Sequence, residues 1–243
     1  MAEVDPPRGA AGHALQHQLA LEVRLRDDAT LDNFLAFPKI QPLVAALQAQ
    51  LEPAGEPVIY LYGPAGTGKS HLLQASCYET GAETLYLPLS DLRQYAAGDV
   101  FQGAEHADRV CIDDIHAVLG DVSWEQALFN FYNDARQHGC RLVVAGEAAP
   151  RALAVNLEDL RSRLSWGIVY QLAQPQDHDK EAILQFRARR RGLSLPPSVA
   201  SYIVSRAPRA MSQLLQALET LDKASLAEKR ALSIPFVKEV LGW

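Results

Sequence analysis

The sequence predicts an α/β fold: a parallel sheet covered by helices on both faces, followed by a small domain built of helices alone. Three observations predict it. Apolar, β-rich runs at 58–62, 84–89, 110–114, 141–146 and 168–172 alternate with helical stretches, and strands buried on both faces read as such continuous apolar runs. The first run ends in a glycine-rich turn that opens directly into a helix. From Pro175 onward the strand-like runs stop and only helical patterns remain. The organisation that follows is a flexible arm over 1–27, an α/β domain over 28–172 and a helical domain over 173–243.

Composition sets limits on what such a chain can do. Its 243 residues can bury a sizeable core. A net charge of −6 argues against a protein whose main affinity is for nucleic-acid phosphates, although local basic patches stay open. Cys77, Cys111 and Cys140 fall inside expected strands or helices without metal-ligand spacing, and read as reduced thiols. There is no apolar run near the roughly 20 residues of a membrane helix. Asp5, Pro6, Pro7 and Arg8 stand where a secretory signal would be apolar, so the expectation is a cytoplasmic protein.

Taken in order, residues 1–16 are rich in Ala, Gly and Pro and read as a disordered arm. The stretch Gln18-Leu19-Ala20-Leu21-Glu22-Val23-Arg24-Leu25 alternates apolar and polar residues at period two, which suits an edge strand. Thr30 or Asp32 is placed to cap the segment containing Phe34 and Leu35, and the spacing of Leu43, Val44, Leu47 and Leu51 predicts a helix over 40–51. Residues 53–57 are the turn into the central strand.

That strand ends in Gly63, and Gly63-Pro64-Ala65-Gly66-Thr67-Gly68-Lys69-Ser70-His71 completes the pattern of a phosphate-binding loop. Three glycines let the backbone curl around phosphate oxygens with no Cβ in the way, and the following helix adds its positive N-terminal dipole. Lys69 supplies a point charge for the β and γ phosphates, and the Ser70 hydroxyl a ligand for Mg²⁺. The helix over 70–79 is ended by Gly81. A strand over 84–89 and a short helix over 90–95 come next, with Gly98 and Gly103 marking loops.

The strand over 110–114 ends in adjacent acids, as a nucleotide site requires: Asp113 for the metal and Asp114 for the attacking water. A helix over 124–138 carries Leu128, Phe131 and Tyr132 on one face and is closed by Gly139. Glu147 directly follows the strand over 141–146. In a parallel sheet the ligand sits at the carboxyl ends of the strands, so Glu147 reads either as a group near the γ-phosphate or as a simple loop acid. Helices over 177–191, 197–206, 208–226 and 234–241 complete the chain. The run Arg187, Arg189, Arg190, Arg191 could address DNA, but cations before Gly192 also suit a helix C-terminus, which is the preferred reading.

A parallel-sheet nucleotide domain with a helical lid resembles the AAA+ ATPases, and several stretches resemble the DnaA family in particular. These are Thr30-Leu31-Asp32-Asn33-Phe34, the loop from Leu61 to Leu73, Ile112-Asp113-Asp114-Ile115, Ser162-Arg163-Leu164-Ser165-Trp166-Gly167 and Ile234-Pro235-Phe236-Val237. The resemblance implies ADP or ATP with Mg²⁺ as cofactors, with Phe34 and Leu35 against the adenine. It also implies that Arg163 is an arginine finger, that Arg209 is the lid's sensor-two arginine, and that Glu147 stands where the family has Asp or Asn at sensor one. The family's initiator has a helix-turn-helix after the lid and an inserted helix for single-stranded DNA; neither is seen here, before Trp243 or between residues 89 and 110.

That pattern is similar to the family's short regulatory branch, whose members inactivate the initiator. In that branch Gln18, Leu19 and Leu21 match a peptide that docks on the DNA polymerase III β sliding clamp, with Glu22-Val23 replacing the usual Pro-Leu. The implied partners are DnaA and the clamp, with DNA reached only indirectly and a homo-oligomer left open. The competing expectation is a self-contained DnaA-like ATPase or helicase loader.

Overall fold

The computed structural model describes residues 25–78 and 81–243. The clamp-type residues Gln18, Leu19 and Leu21 lie outside the described part. Five strands, β1 (Val58–Tyr62), β2 (Thr84–Pro88), β3 (Arg109–Asp113), β4 (Arg141–Gly146) and β5 (Ile168–Gln171), form one sheet in the order β2-β3-β4-β1-β5. Every neighbouring pair is parallel. Strand β1 therefore sits inside the sheet, with the loop that follows it flanked by the carboxyl ends of β4 and β5.

Alternation along the strands divides the core into two layers, because successive side chains point to opposite faces. Ile59, Leu61, Cys111, Val143 and Ala145 pack with Leu43 and Leu47 of α1 (Gln41–Gln48) and Leu72 and Leu73 of α2 (Lys69–Ser76). Val58, Tyr60, Val110, Ile112, Leu142 and Val144 face the other way. They meet α3 (Leu89–Leu92), α4 (Ala97–Phe101), α5 (Val122–His138) and α6 (Glu158–Leu164). Leu72, Leu73 and Leu128 are fully buried, and each such side chain stabilises by about 1.5–3 kcal/mol. A third cluster closes the lid between α7 (Asp177–Arg190), α8 (Pro197–Arg206), α9 (Met211–Glu228) and α10 (Ile234–Leu241), centred on Leu184, Ile203, Leu218 and Phe236.

Several elements differ from the sequence expectation. Thr30 precedes a 3-10 turn (Leu31–Asn33) without any side-chain cap bond, and its carbonyl instead accepts from His71 Nε2 at 2.9 Å. Helix α2 ends at Ser76, before Gly81. Gly98 lies inside α4 rather than in a loop, and Arg163 is carried by α6, where no element was expected. Helix α5 starts earlier than residue 124 because the Asp121 carboxylate accepts from the N–H groups of Ser123 and Trp124. Pro208, Arg209 and Ala210 stay outside α9.

The basic run is largely engaged in ion pairs within the fold. Arg187 is buried and pairs with Asp28, Arg190 pairs with Asp32 and Arg191 with Asp222. Among the described residues, no helix is long and apolar enough to cross a membrane.

Candidate functional site

The loop after β1 has the shape its glycines permit. A Cβ at Gly63 would stand 2.2 Å from the Leu172 carbonyl oxygen, so only glycine fits where β1 passes the end of β5. Gly66 and Gly68 adopt φ of +79° and +96°, in the left-handed region. Gly68 caps α2 without a side chain, which leaves the first-turn N–H groups, those of Lys69 and Ser70 among them, free of intrahelical partners. The Thr67 hydroxyl donates to the Pro64 carbonyl at 3.0 Å and pins the turn. Lys69 Nζ donates to the carbonyls of Gly63 (2.7 Å) and Pro64 (3.0 Å), which fixes its ammonium at the mouth of the loop.

Three acids from two strand ends converge on that ammonium. Burial lowers the Lys69 pKa, and the charges of Asp113, Asp114 and Glu147 act against the shift. Asp113 is 1% exposed at the end of β3. Its carboxylate accepts from the Tyr86 hydroxyl at 2.7 Å and the Asp114 N–H at 2.9 Å. Burial raises the Asp113 pKa, hydrogen bonds from Ser70 and Tyr86 offset part of the rise, and the Asp114 charge adds to it. Asp114 itself takes φ +52°, a left-handed conformation that a residue with a Cβ adopts only at some strain. Glu147 is more than half exposed and lies 3.5 Å from His116 Nε2.

The donor set fits a magnesium nucleotide. Among the described residues no group of three His, Cys, Asp or Glu could hold an ion alone. Mg²⁺ is commonly bound through one or two protein oxygens with phosphates and waters completing its shell, and Asp113 with Ser70 supplies that number.

Further residues close around the loop. The Phe34 ring lies against Gly68, where a Cβ would come within 2.8 Å of Cε2, and it is tilted against the His71 ring with centroids 5.6 Å apart. Burial keeps the His71 pKa below its ordinary value, consistent with a neutral ring that donates from Nε2 to Thr30. Leu35, beside Phe34, is half-buried. From the lid, the Met211 N atom lies 3.9 Å from the point a Gly66 Cβ would occupy, so the start of α9 meets the loop's apex. The exposed Arg209 stands two residues earlier.

Arg163 is different. Its Nε donates to Asn133 Oδ1 at 3.1 Å, and its guanidinium carbon lies 4.0 Å from the Trp166 ring centroid and 5.6 Å from that of Phe129. All these partners belong to α5 or to the turn after α6, and none to the phosphate loop. Arg136 shares the same indole at 4.7 Å. Sequence reasoning did not reach Tyr86, His116 or Asn133. Their roles depend on strand register and on α6 crossing α5, and no local signal in the sequence reports either.

Comparison with known proteins agrees with this architecture. The model for the bacterial DnaA ATPase domain matches residues 25–171, more than half of the chain. The chain belongs to the bacterial DnaA ATPase family. Residues 177–241 match a second model, described as the lid domain of Hda. Among solved structures, domain III of the Thermotoga maritima replication initiator DnaA has a TM-score of 0.73 at 22% identity, over 90% of this chain and 98% of that one. A DnaA bound to AMPPCP and single-stranded DNA has a TM-score of 0.69 at 20% identity, over 85% of this chain and 69% of that one. The Thermotoga maritima RuvB branch-migration motor has 0.65 at 18%, over 88% and 71%. At these identities the structural likeness shows the AAA+ fold, and the family match places this DnaA-family chain in a replication-related lineage.

Proposed function

We propose that this DnaA-family protein is a regulator of replication initiation: holding adenine nucleotide, it docks on the DNA-loaded sliding clamp and stimulates ATP hydrolysis by DnaA, which inactivates the initiator. In this reading the loop from Gly63 to His71 holds ADP or ATP, and Phe34 and Leu35 border the base. Ser70 and Asp113 hold Mg²⁺, which neutralises phosphate charge, Asp114 and Glu147 face the γ-phosphate, and Arg209 approaches from the lid. Gln18, Leu19 and Leu21 contact the clamp.

The observation that carries the proposal is the setting of Arg163. Its contacts with Phe129, Asn133 and Trp166 leave it unengaged with its own loop, which suits a guanidinium used on a neighbouring subunit's nucleotide. A finger supplied in trans is worth ~10³ to 10⁵ in rate. The match of residues 177–241 to the Hda lid further supports a regulatory branch.

The deciding experiment uses Arg163→Ala. Loss of stimulation of DnaA ATP hydrolysis in a reconstitution with clamp, DNA and DnaA·ATP, with ADP affinity of the variant kept, is the expected result. Full stimulation by the variant would overturn the reading.

A second reading, a self-contained ATPase or helicase loader, is favoured by the paired acids Asp113 and Asp114 beside a complete phosphate loop. Turnover by the protein alone, unaffected by DnaA, would select it.

A further inference from the structure

The Asp113 carboxylate is held from a distance, by a chain of hydrogen bonds that starts at the backbone of Arg26. We infer that Gln74 is a positioning residue for the Mg²⁺ site: it couples the Arg26 N–H to the Asp113 carboxylate through Tyr86, which makes the segment before Thr30 part of the nucleotide site. The inference rests on the reading of Asp113 as a Mg²⁺ ligand.

The Arg26 N–H donates to Gln74 Oε1 at 3.0 Å, Gln74 Nε2 donates to the Tyr86 hydroxyl at 3.2 Å, and that hydroxyl donates to Asp113 Oδ2 at 2.7 Å. The elements explain why these groups meet. Ser70 and Gln74 stand one turn apart on the same face of α2, and Ser70 hydrogen-bonds the same carboxylate. In the sheet Tyr86 is paired with Cys111. Asp113, two residues further on, is therefore a diagonal neighbour of Tyr86 on the same face, within reach of a long aromatic side chain. The phenol oxygen supplies that reach.

The direction of the chain is set at its far end. A backbone N–H can only donate, so the Gln74 carbonyl oxygen faces Arg26 and its NH₂ group faces Tyr86. The Tyr86 oxygen accepts there, which leaves its single proton for the carboxylate. Asp113 Oδ1 accepts from the Asp114 N–H at 2.9 Å. With a partner on each oxygen the plane of the carboxylate is fixed, and lone pairs remain for a cation. The donors from Arg26 to Tyr86 are neutral, so the carboxylate is oriented without its charge being cancelled. Gln74 is 8% exposed and Asp113 1%, so solvent has little access to either. The Tyr78 hydroxyl donates to the Arg26 carbonyl at 2.9 Å and holds that residue against the end of α2.

The test follows equilibrium binding of labelled ADP by full-length proteins, without Mg²⁺ and through a Mg²⁺ titration, together with Tm. Loss of an outer-shell partner of a metal ligand costs ~10-fold to ~100-fold in metal affinity. Tyr86→Phe is therefore expected to raise the half-saturating Mg²⁺ concentration by that factor, with ADP affinity in the absence of Mg²⁺ unchanged. Gln74→Leu removes the middle of the chain and Arg26→Pro deletes the N–H that starts it. Each should raise the half-saturating Mg²⁺ concentration by at least about 3-fold, as expected for a neutral hydrogen bond. Arg26→Ala keeps the N–H and should match the unaltered protein, and Gln74→Leu should add nothing to Tyr86→Phe. If Gln74→Leu or Arg26→Pro melts early, the near-isosteric Gln74→Met takes its place.

Several results would overturn the proposal. An unshifted Mg²⁺ titration for the Gln74 variants, with Tyr86→Phe shifted, ends the chain at Tyr86 and removes the role of Gln74. An equal shift for Arg26→Ala and Arg26→Pro assigns the effect to the Arg26 side chain rather than to its N–H. A fall in ADP affinity without Mg²⁺ makes Gln74 a brace of the phosphate loop. If the unaltered protein shows no Mg²⁺ dependence, or Asp113→Asn keeps a normal one, the metal reading itself fails and the positioning role goes with it.

Discussion

One buried arginine ties the lid to the segment before Phe34, beside the exposed Arg190–Asp32 pair, and its removal has a calculable consequence. Arg187 on α7 is 4% exposed. It donates through Nη1 to the Asn33 carbonyl at 3.0 Å and through Nη2 to the Asp28 carboxylate. Asp28 is about one-third exposed and also pairs with Arg26. Asp28→Ala strands a buried guanidinium with only the carbonyl, whereas Arg187→Met removes the charge itself, keeps the apolar stem and leaves Asp28 with Arg26 and water. Breaking a buried pair is costly when the charge left behind is the buried one. A hydrogen bond to a charged group is worth about 1.5–3 kcal/mol, and solvent at Asp28 places the expected loss near ~2 kcal/mol. In a chain of this size that lowers Tm by roughly 4–8 °C.

The pH dependence follows from the same groups. Burial pushes the Asp28 carboxyl up, but the charges of Arg26 and Arg187 outweigh it, so its pKa lies below the ordinary 3.8. A carboxylate with a depressed folded pKa stabilises above its unfolded value and loses that contribution as pH falls through the folded one. The gap between the unaltered protein and Asp28→Ala should thus be full at neutral pH and close only below about pH 3.8. Thermal melts followed by circular dichroism at pH 7 and at pH 3 measure both. An unchanged Tm for Asp28→Ala, or a larger loss for Arg187→Met than for Asp28→Ala, would refute the reasoning.

Three other outcomes are expected. Lys69→Ala removes the cation proposed to meet the outer phosphates and should weaken ADP and ATP binding by at least ~30-fold, the equivalent of about 2 kcal/mol; equal affinity in equilibrium binding of labelled nucleotide would make the loop structural. Gly68→Ala places a Cβ 2.8 Å from Phe34 Cε2 at φ +96°, so about 1–2 kcal/mol of left-handed strain and a displaced Phe34 should appear as a lower Tm together with weaker nucleotide binding, and a normal melt with normal affinity counts against this packing. A peptide covering residues 16–25 should bind the sliding clamp weakly, since without proline it is less preorganised, and equal clamp capture of the intact chain and of one lacking residues 1–25 would rule it out.

What could be read from the sequence follows physical strength of signal. The cores of β1, β3 and β4 were legible because strands buried on both faces must be apolar throughout. Helices α8 and α10 span the expected residues, 197–206 and 234–241, each with a proline in its first two positions. The phosphate loop was legible because glycine is the residue that fits beside Leu172 and at the positive φ of Gly66 and Gly68. Helices α4 and α6 were missed, since 5 and 7 residues make too few turns to show periodicity. The basic run around Arg187 was read through local helix electrostatics, but what holds Arg187 is an acid 159 residues away. Tyr86 could not be connected to Asp113 without the register that pairs β2 with β3.

The placement of α5 connects the Arg163 cluster to the turn after the acids and also keeps the two apart. Its N-cap, Asp121, follows the turn that leaves Asp114 and His116 at the nucleotide end of the sheet. Asn133 lies twelve residues further along, and at 1.5 Å per residue that is roughly 18 Å down the helix. Phe129, Asn133 and Arg136 thus carry the Arg163 cluster on the rigid rod that follows this turn. A rod of this kind can hold a guanidinium for a neighbouring subunit while leaving the chain's own phosphate loop untouched. Loss of ADP affinity on replacing Arg163 would therefore require a path through α5. The contacts of Arg163 with Asn133, Phe129 and Trp166 supply no direct one, which is why the nucleotide affinity of Arg163→Ala is the measurement that separates a finger from a brace.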